Sequence, residues 1–153
     1  MKHVKYSDFV AKAVQKYYEG QFVLGKRGDF ITSPMISQIF GETIAVWIMK
    51  NNLKKQRIQI VELGPGEGSL ALDLIRSFEQ SRNMKGLLGG YVFIEKSDQL
   101  KALQRSRMHS DSVELAWYPE LNNFMENSKE KIATFIVAHE FFDALPVRKF
   151  KVL

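Results

Sequence analysis

Two apolar rhythms alternate along the chain. Near the N-terminus the rhythm is helical. Ser7 suits the cap of a helix from about Asp8 to Tyr18, with Phe9, Val10, Ala13, Val14 and Tyr17 on one face and Gly20 as the stop. After a loop, Gly25 to Thr32, a second helix is predicted, with Ser33 at the N-cap and Pro34 at the first helical position. Ile36, Ile39, Phe40, Thr43, Ile44, Trp47 and Ile48 recur at helical spacing through to about Lys50, a stripe expected to pack in the core. Beyond Asn51-Asn52 short apolar runs alternate with helical stretches. Arg57 to Leu63 reads as strand, Ser69 to Phe78 as helix, Tyr91 to Glu95 as strand after a loop marked by Gly86, Gly89 and Gly90. Ser97 caps a helix to about Arg105; Ser112 to Ala116 is a third strand and Lys131 to Ala138 a fourth. The fourth is nearly all apolar, as strands buried on both faces of a parallel sheet are. Strand–helix alternation predicts an α/β fold, a doubly wound parallel sheet of Rossmann-like type. The chain divides into an N-terminal helical extension, residues 1–52, and an α/β part, residues 53–153.

Composition narrows the chemistry. The 153 residues suffice for one domain with a real core, and shares of 45% apolar and 25% charged residues are those of a soluble globular protein. The net charge of +5 is mild and its basic clusters, Lys54-Lys55-Arg57 and Arg105-Arg107, read as solvated faces, so no nucleic-acid partner is expected. With no cysteine, thiolate zinc sites, disulfides and cysteine nucleophiles are excluded, and no metal site is expected. The start of the chain lacks a secretory signal pattern, and no apolar run approaches the roughly 20 residues that span a bilayer, so no membrane partner is expected either.

Ligands of open α/β sheets bind beyond the carboxyl ends of the strands. The first strand runs into Glu62-Leu63-Gly64-Pro65-Gly66-Glu67-Gly68, the second closes on Glu95, and the fourth is followed by His139-Glu140-Phe141-Phe142-Asp143. Glycines at 64, 66 and 68 suit a tight turn that lets a ligand approach the backbone. Dinucleotide sites want a different spacing, with a small third residue at the sixth position, and a phosphate-binding P-loop wants a Gly-Lys-Ser/Thr that does not follow. Glu-x-Gly-x-Gly-x-Gly is similar to motif I of the class I S-adenosylmethionine methyltransferases. That likeness implies S-adenosylmethionine as cofactor, bound by Glu62, Gly64, Pro65, Gly66 and Gly68, with a helix N-terminus favouring its carboxylate. Glu95 can accept hydrogen bonds from ribose hydroxyls, although it would serve a dinucleotide equally well.

Three blocks carry a wider resemblance: Gly28-Asp29-Phe30-Ile31-Thr32-Ser33-Pro34 with Ile36 to Glu42 behind it, Val61 to Gly68, and Ala138-His139-Glu140-Phe141-Phe142-Asp143-Ala144-Leu145-Pro146. Together they resemble the MidA family of S-adenosylmethionine-dependent methyltransferases, whose mitochondrial members resemble protein arginine methyltransferases needed for respiratory complex I assembly. The resemblance implies a mitochondrial matrix enzyme if the source is eukaryotic and a cytoplasmic one if bacterial. Its substrate would be a protein arginine side chain. Thr32 and Ser33 would sit in a loop folded over the cofactor; Glu140 and Asp143 would orient a guanidinium, and His139 would accept a proton, with loop packing as the competing role. Asp143 could equally cap a short helix entering Ala144. Where the family often carries a basic residue this chain has Glu67, a side chain expected to face solvent. Members of the family are longer, so the resemblance covers an N-terminal half only: the first four strands of a sheet ordered 3-2-1-4-5-7-6. The expectation is a truncated or split product whose fourth strand is an apolar edge, covered by a complementary C-terminal fragment, a second copy, or a residual strand from Val147 to Leu153. A non-catalytic half-domain that binds cofactor or partner is the alternative.

Overall fold

A parallel sheet of four strands in the order β3-β2-β1-β4 organises the molecule. The computed structural model describes residues 4–19, 33–128 and 132–150. The strands are β1 (Ile58–Leu63), β2 (Leu88–Ile94), β3 (Glu114–Tyr118) and β4 (Ala133–Val137). The helices are α1 (Tyr6–Glu19), α2 (Ser33–Ile36), α3 (Gln38–Asn51), α4 (Ser69–Gln80), α5 (Asp98–Arg107) and α6 (Leu121–Asn127). The parallel α/β sheet is what the alternating pattern predicts, and its order matches the first four strands of the sheet that the family resemblance implies. Successive side chains of a strand point to opposite faces, and here each face is claimed by different helices. Ile58 and Ile60 of β1 with Tyr91 and Phe93 of β2 pack against Ala45 and Ile48 of α3 and Leu70, Leu74 and Phe78 of α4. Val61, Leu63, Val92 and Ile94 form the second cluster, against Leu121 and Phe124 of α6, a helix that the apolar pattern does not predict.

The second predicted helix is broken in two. Ser37 is extended (φ −151°, ψ 127°) and its hydroxyl accepts from the Ile39 N–H, so the cap lies four residues beyond Ser33. The predicted apolar stripe is buried only in part: Phe40, Ile44 and Ile48 pack into the core. Ile36, Ile39 and Trp47 are more than half exposed, and the buried positions are Gly41, Ala45 and Ile48. Small residues on that face let α3 approach α4 closely: a Cβ at Gly41 would collide with Cβ of Asp73. Arg76 reaches Asp73 at 2.8 Å and Glu42 at 3.5 Å across the same contact. Burial raises the Asp73 pKa above its ordinary range, against the pull of Arg76.

Gly89 and Gly90 belong to β2 rather than to a loop. At Gly89 a side chain would strike Arg57, which crosses the strand there. The third strand starts two residues later than predicted, at Glu114. The fourth is not buried on both faces: Thr134 and Ile136 are exposed, whereas Ala133, Phe135 and Val137 on the opposite face pack against the main core. Residues 147–150 carry no strand. The Gly25–Thr32 loop, Gly20, Lys131 and the last three residues lie outside the described residues.

Candidate functional site at the carboxyl ends of the strands

Register brings the three strand-end segments to one edge. Leu63 pairs with Ile94 and Ile94 with Tyr118, while Glu62 pairs with Val137. The ladder continues one step: the Gly64 N–H donates to Ile94 O and the Glu95 N–H to Tyr118 O. The glycine loop, Glu95 and the segment after β4 therefore leave the sheet side by side.

All three loop glycines adopt the left-handed region, with φ of 64° at Gly64, 54° at Gly66 and 81° at Gly68. The Gly68 N–H donates to Pro65 O at 2.8 Å, closing the turn, and Gly68 occupies the N-cap of α4, where it brings no capping side chain. The first-turn N–H groups of α4 are thus left for an anionic group. Around Gly66 an added Cβ would meet nothing within 4 Å, whereas at Gly64 it would lie 2.8 Å from Cδ2 of Phe141. The loop has open room at its middle and a wall, Phe141, at its start.

Glu62 faces inward near the end of β1. It is 3% exposed and its Oε2 accepts a 2.6 Å hydrogen bond from the Tyr91 hydroxyl. Burial lifts its carboxyl from the ordinary 4.5 to about 7, only partly offset by that bond. Burial and the adjacent Glu62 charge push the Tyr91 phenol well above its own ordinary value. Glu95 is half-buried, and its Oε1 accepts from the Ser97 N–H at 2.8 Å. Desolvation raises its pKa, opposed by the Ser97 and Lys96 amides, by Lys101 and by the Gln104 side chain. Ser97 caps α5 as predicted, accepting from the Leu100 N–H.

The helix that Ser97 starts returns to clamp the loop. Gln104, wholly buried, donates from Nε2 to Gly66 O at 2.7 Å. Arg107 reaches Glu67 Oε2 at 2.6 Å and Glu67 O at 3.3 Å. Glu67 therefore does not face solvent: it turns toward α5 and its side chain is 12% exposed. Sequence spacing does not reveal these partners, since Gln104 and Tyr91 sit inside helical and strand patterns with no motif around them.

After β4, His139 lays its ring against Phe40 of α3, with centroids 4.8 Å apart. Its Nε2 is 4.0 Å from Glu140 Oε1, beyond hydrogen-bonding reach. Glu140 holds φ of 49°, unusual for a residue with a side chain, and is about half exposed. Asp143 is exposed within a 3-10 turn, Phe142–Ala144, whose cap position belongs to Phe141, so it does not cap that turn. Ser33 is exposed in α2, and Thr32 lies outside the described residues. A groove of about 260 Å³ lined by Arg57, Gln59, Gly90, Glu114, Tyr118 and Ser128 runs along the face of β2 and β3 that α6 packs on, apart from the glycine loop. Among the described residues no three His, Asp or Glu side chains gather as a metal site, and no helix is long and apolar enough to cross a membrane.

The room at Gly66, the uncapped α4 and the carboxylates at the ends of β1 and β2 fit a ligand carrying an amino acid group and a ribose. Comparison with known proteins points the same way. Residues 39–152 match the family described as "Putative S-adenosyl-L-methionine-dependent methyltransferase". The mitochondrial protein arginine methyltransferase NDUFAF7 of Mus musculus is 36% identical over 159 residues, covering 88% of this chain and 35% of the relative. The Danio rerio protein of that name is 37% identical, over 88% of this chain and 36% of its own, and the Homo sapiens protein 35%, over 88% and 35%. The chain spans about a third of the length of these curated relatives. A COG1565 superfamily member from Burkholderia thailandensis, solved with S-adenosyl-homocysteine, shares the fold with a TM-score of 0.71 at 23% identity, over 94% of this chain and 38% of that one.

Proposed function

This chain belongs to a family of S-adenosyl-L-methionine-dependent methyltransferases, and from that premise we propose that it forms the cofactor-binding part of a protein arginine methyltransferase. The observation that carries the proposal is the loop Gly64–Gly68: three left-handed glycines at the end of β1, in register with a carboxylate at the end of β2. Bound S-adenosylmethionine supplies an activated methyl group, so the protein's task is orientation and electrostatics.

In this reading Gly64, Pro65, Gly66 and Gly68 bring the backbone close to the cofactor, and Glu62 holds the amino group or the loop. Glu95 holds Ser97 through Oε1 and in this reading accepts from ribose hydroxyls as well. Thr32 and Ser33 belong to a cover over the cofactor, within an extension of residues 1–52 that precedes the α/β part, residues 53–153. Glu140 and Asp143 are carboxylates within four residues of one another on the segment whose Phe141 abuts Gly64, a placement suited to orienting a guanidinium. The left-handed backbone of Glu140 supports a role that requires its aim to be fixed. His139 is the proton acceptor of this scheme, although its packing on Phe40 also supports a purely structural role. A link to respiratory complex I assembly, and a mitochondrial matrix location in a eukaryote or a cytoplasmic one in a bacterium, belong to the same proposal. Relatives named mitochondrial support the location given for a eukaryote.

A second reading is favoured by β4, which exposes 59% of Ile136 and pairs only with β1 among the described residues. In it the chain is a cofactor- or partner-binding half-domain that turns over only with a complementary C-terminal fragment or a second copy. Calorimetry of the purified chain with S-adenosylmethionine, S-adenosylhomocysteine and NAD tests both readings. Binding of the first two and not NAD is expected; NAD binding alone overturns the cofactor assignment. Methylation of an arginine peptide by the chain alone would remove the need for a companion.

A further inference from the structure

Gln104 is a buried polar side chain that no sequence motif singles out, and besides the two bonds described next its amide helps to hold down the pKa of Glu95. It sits on α5, is 0% exposed, and lies between the glycine loop and β3. Its two amide atoms have partners of opposite kind. Gly66 O can only accept, and it faces Nε2 at 2.7 Å; the Trp117 indole N–H can only donate, and it faces Oε1 at 3.0 Å. The amide therefore has one sensible orientation, because flipping it would set donor against donor and acceptor against acceptor. Trp117 is itself fixed, stacked on Phe93 with ring planes 7° apart and covered by the Arg105 guanidinium at 5.1 Å. The Gln104 stem also lines the loop, with Cγ 3.5 Å from where a Cβ on Gly68 would stand.

We infer that Gln104 is a positioning residue, anchored by the Trp117 indole and fixing the Gly66 carbonyl, so that the loop keeps the left-handed turn that receives the cofactor. The consequence for binding rests on the cofactor reading above; the anchoring of the loop does not. A polar group shut away from water is costly to leave without a partner, and Gly66 has no side chain to restrain its peptide. Loss of this one bond frees the carbonyl to rotate away, and with it the peptide plane at the open middle of the loop.

Amide hydrogen exchange of the full chain, read at the Gly68 N–H that closes the turn on Pro65 O, tests the anchoring without any cofactor. Two substitutions separate the partners. Gln104→Met keeps the volume and loses both bonds. Gln104→Glu keeps an acceptor for Trp117, and donates to Gly66 only while its carboxyl is protonated, a state that the neighbouring Glu95 carboxylate favours and that Arg105 and Arg107 on the same helix oppose. In Gln104→Met the Gly68 amide is expected to exchange roughly 10-fold faster or more, with the β1 and β2 amides unchanged. Gln104→Glu should behave likewise at high pH and return toward wild type on acidification, compared with wild type at each pH. Loop exchange equal to wild type in both variants, or acceleration shared by every strand amide, overturns the inference. Titration with S-adenosylhomocysteine then reads the consequence: about 10- to 100-fold weaker binding in Gln104→Met is expected. If wild type binds none, the cofactor reading fails while the exchange result still decides the anchoring. If both variants bind as wild type does despite a loosened loop, the claim that the turn must be held for binding is wrong.

Discussion

The Tyr91 hydroxyl donates a 2.6 Å hydrogen bond to Oε2 of Glu62 inside the sheet, where Tyr91 is 0% and Glu62 3% exposed. A carboxyl with a pKa of about 7 in the folded chain and an ordinary 4.5 unfolded binds a proton more tightly when folded. Between those two values the folded state holds the proton that the unfolded state has released, so stability falls as pH rises through that window. The loss from this one group is of order 3 kcal/mol. Urea unfolding from pH 4.5 to 8 should show the decline, and Glu62→Gln, which keeps an acceptor for Tyr91, should flatten it. An unchanged slope in the variant would place the titration elsewhere.

Gly64 and Gly66 should respond differently to alanine. At Gly64 a methyl meets both a φ of 64° and the Phe141 ring, so Gly64→Ala is expected to cost about 2–4 kcal/mol of stability. At Gly66 only the φ of 54° opposes it and the space is open, so Gly66→Ala should cost about 1 kcal/mol. Its cofactor affinity should nevertheless fall at least 10-fold, because that open space is where the ligand would pass. Thermal unfolding and calorimetry on the two variants check this, and equal stability losses would count against Phe141 as the wall of the loop.

Gly41 sets how closely α3 approaches α4. Alanine is the better helix former by about 1 kcal/mol, but its Cβ would collide with Asp73. Overpacking should win, leaving Gly41→Ala about 1–3 kcal/mol less stable than wild type. A stabilised variant in chemical denaturation would mean that the helices separate at little cost.

Replacing Glu140 by Gln removes the charge that would hold a guanidinium and leaves the cofactor loop untouched. Methyl transfer, measured with whatever companion fragment activity requires, should drop by at least 10²-fold while S-adenosylhomocysteine binds as before. Loss of cofactor binding would move Glu140 out of the acceptor site.

The glycine loop is legible in the sequence because its requirement is local. Three positions need φ above zero, only glycine takes that conformation freely, and the residues before and after them show strand and helix rhythm. The Ser97 cap and the parallel direction of the strands, which sends Glu62, Glu95 and the segment after β4 to one edge, follow from the same local patterns, whereas the strand order follows from the family resemblance. What surrounds the loop is not legible in this way. Gln104, Tyr91 and Trp117 find their partners across 13 to 38 residues of chain, and Glu67 turns inward only because Arg107 arrives on the last turn of α5. The buried face of α3 keeps Phe40, Ile44 and Ile48 of the predicted stripe but adds Gly41 and Ala45, because apolar residues cover most of the helix and the small size of these two permits close packing on α4. By itself the sequence determined which backbone conformations and which family of chemistry this chain carries. Which side chains hold that backbone in place was decided by the tertiary structure, because a hydrogen bond between distant residues leaves no periodic trace in the chain.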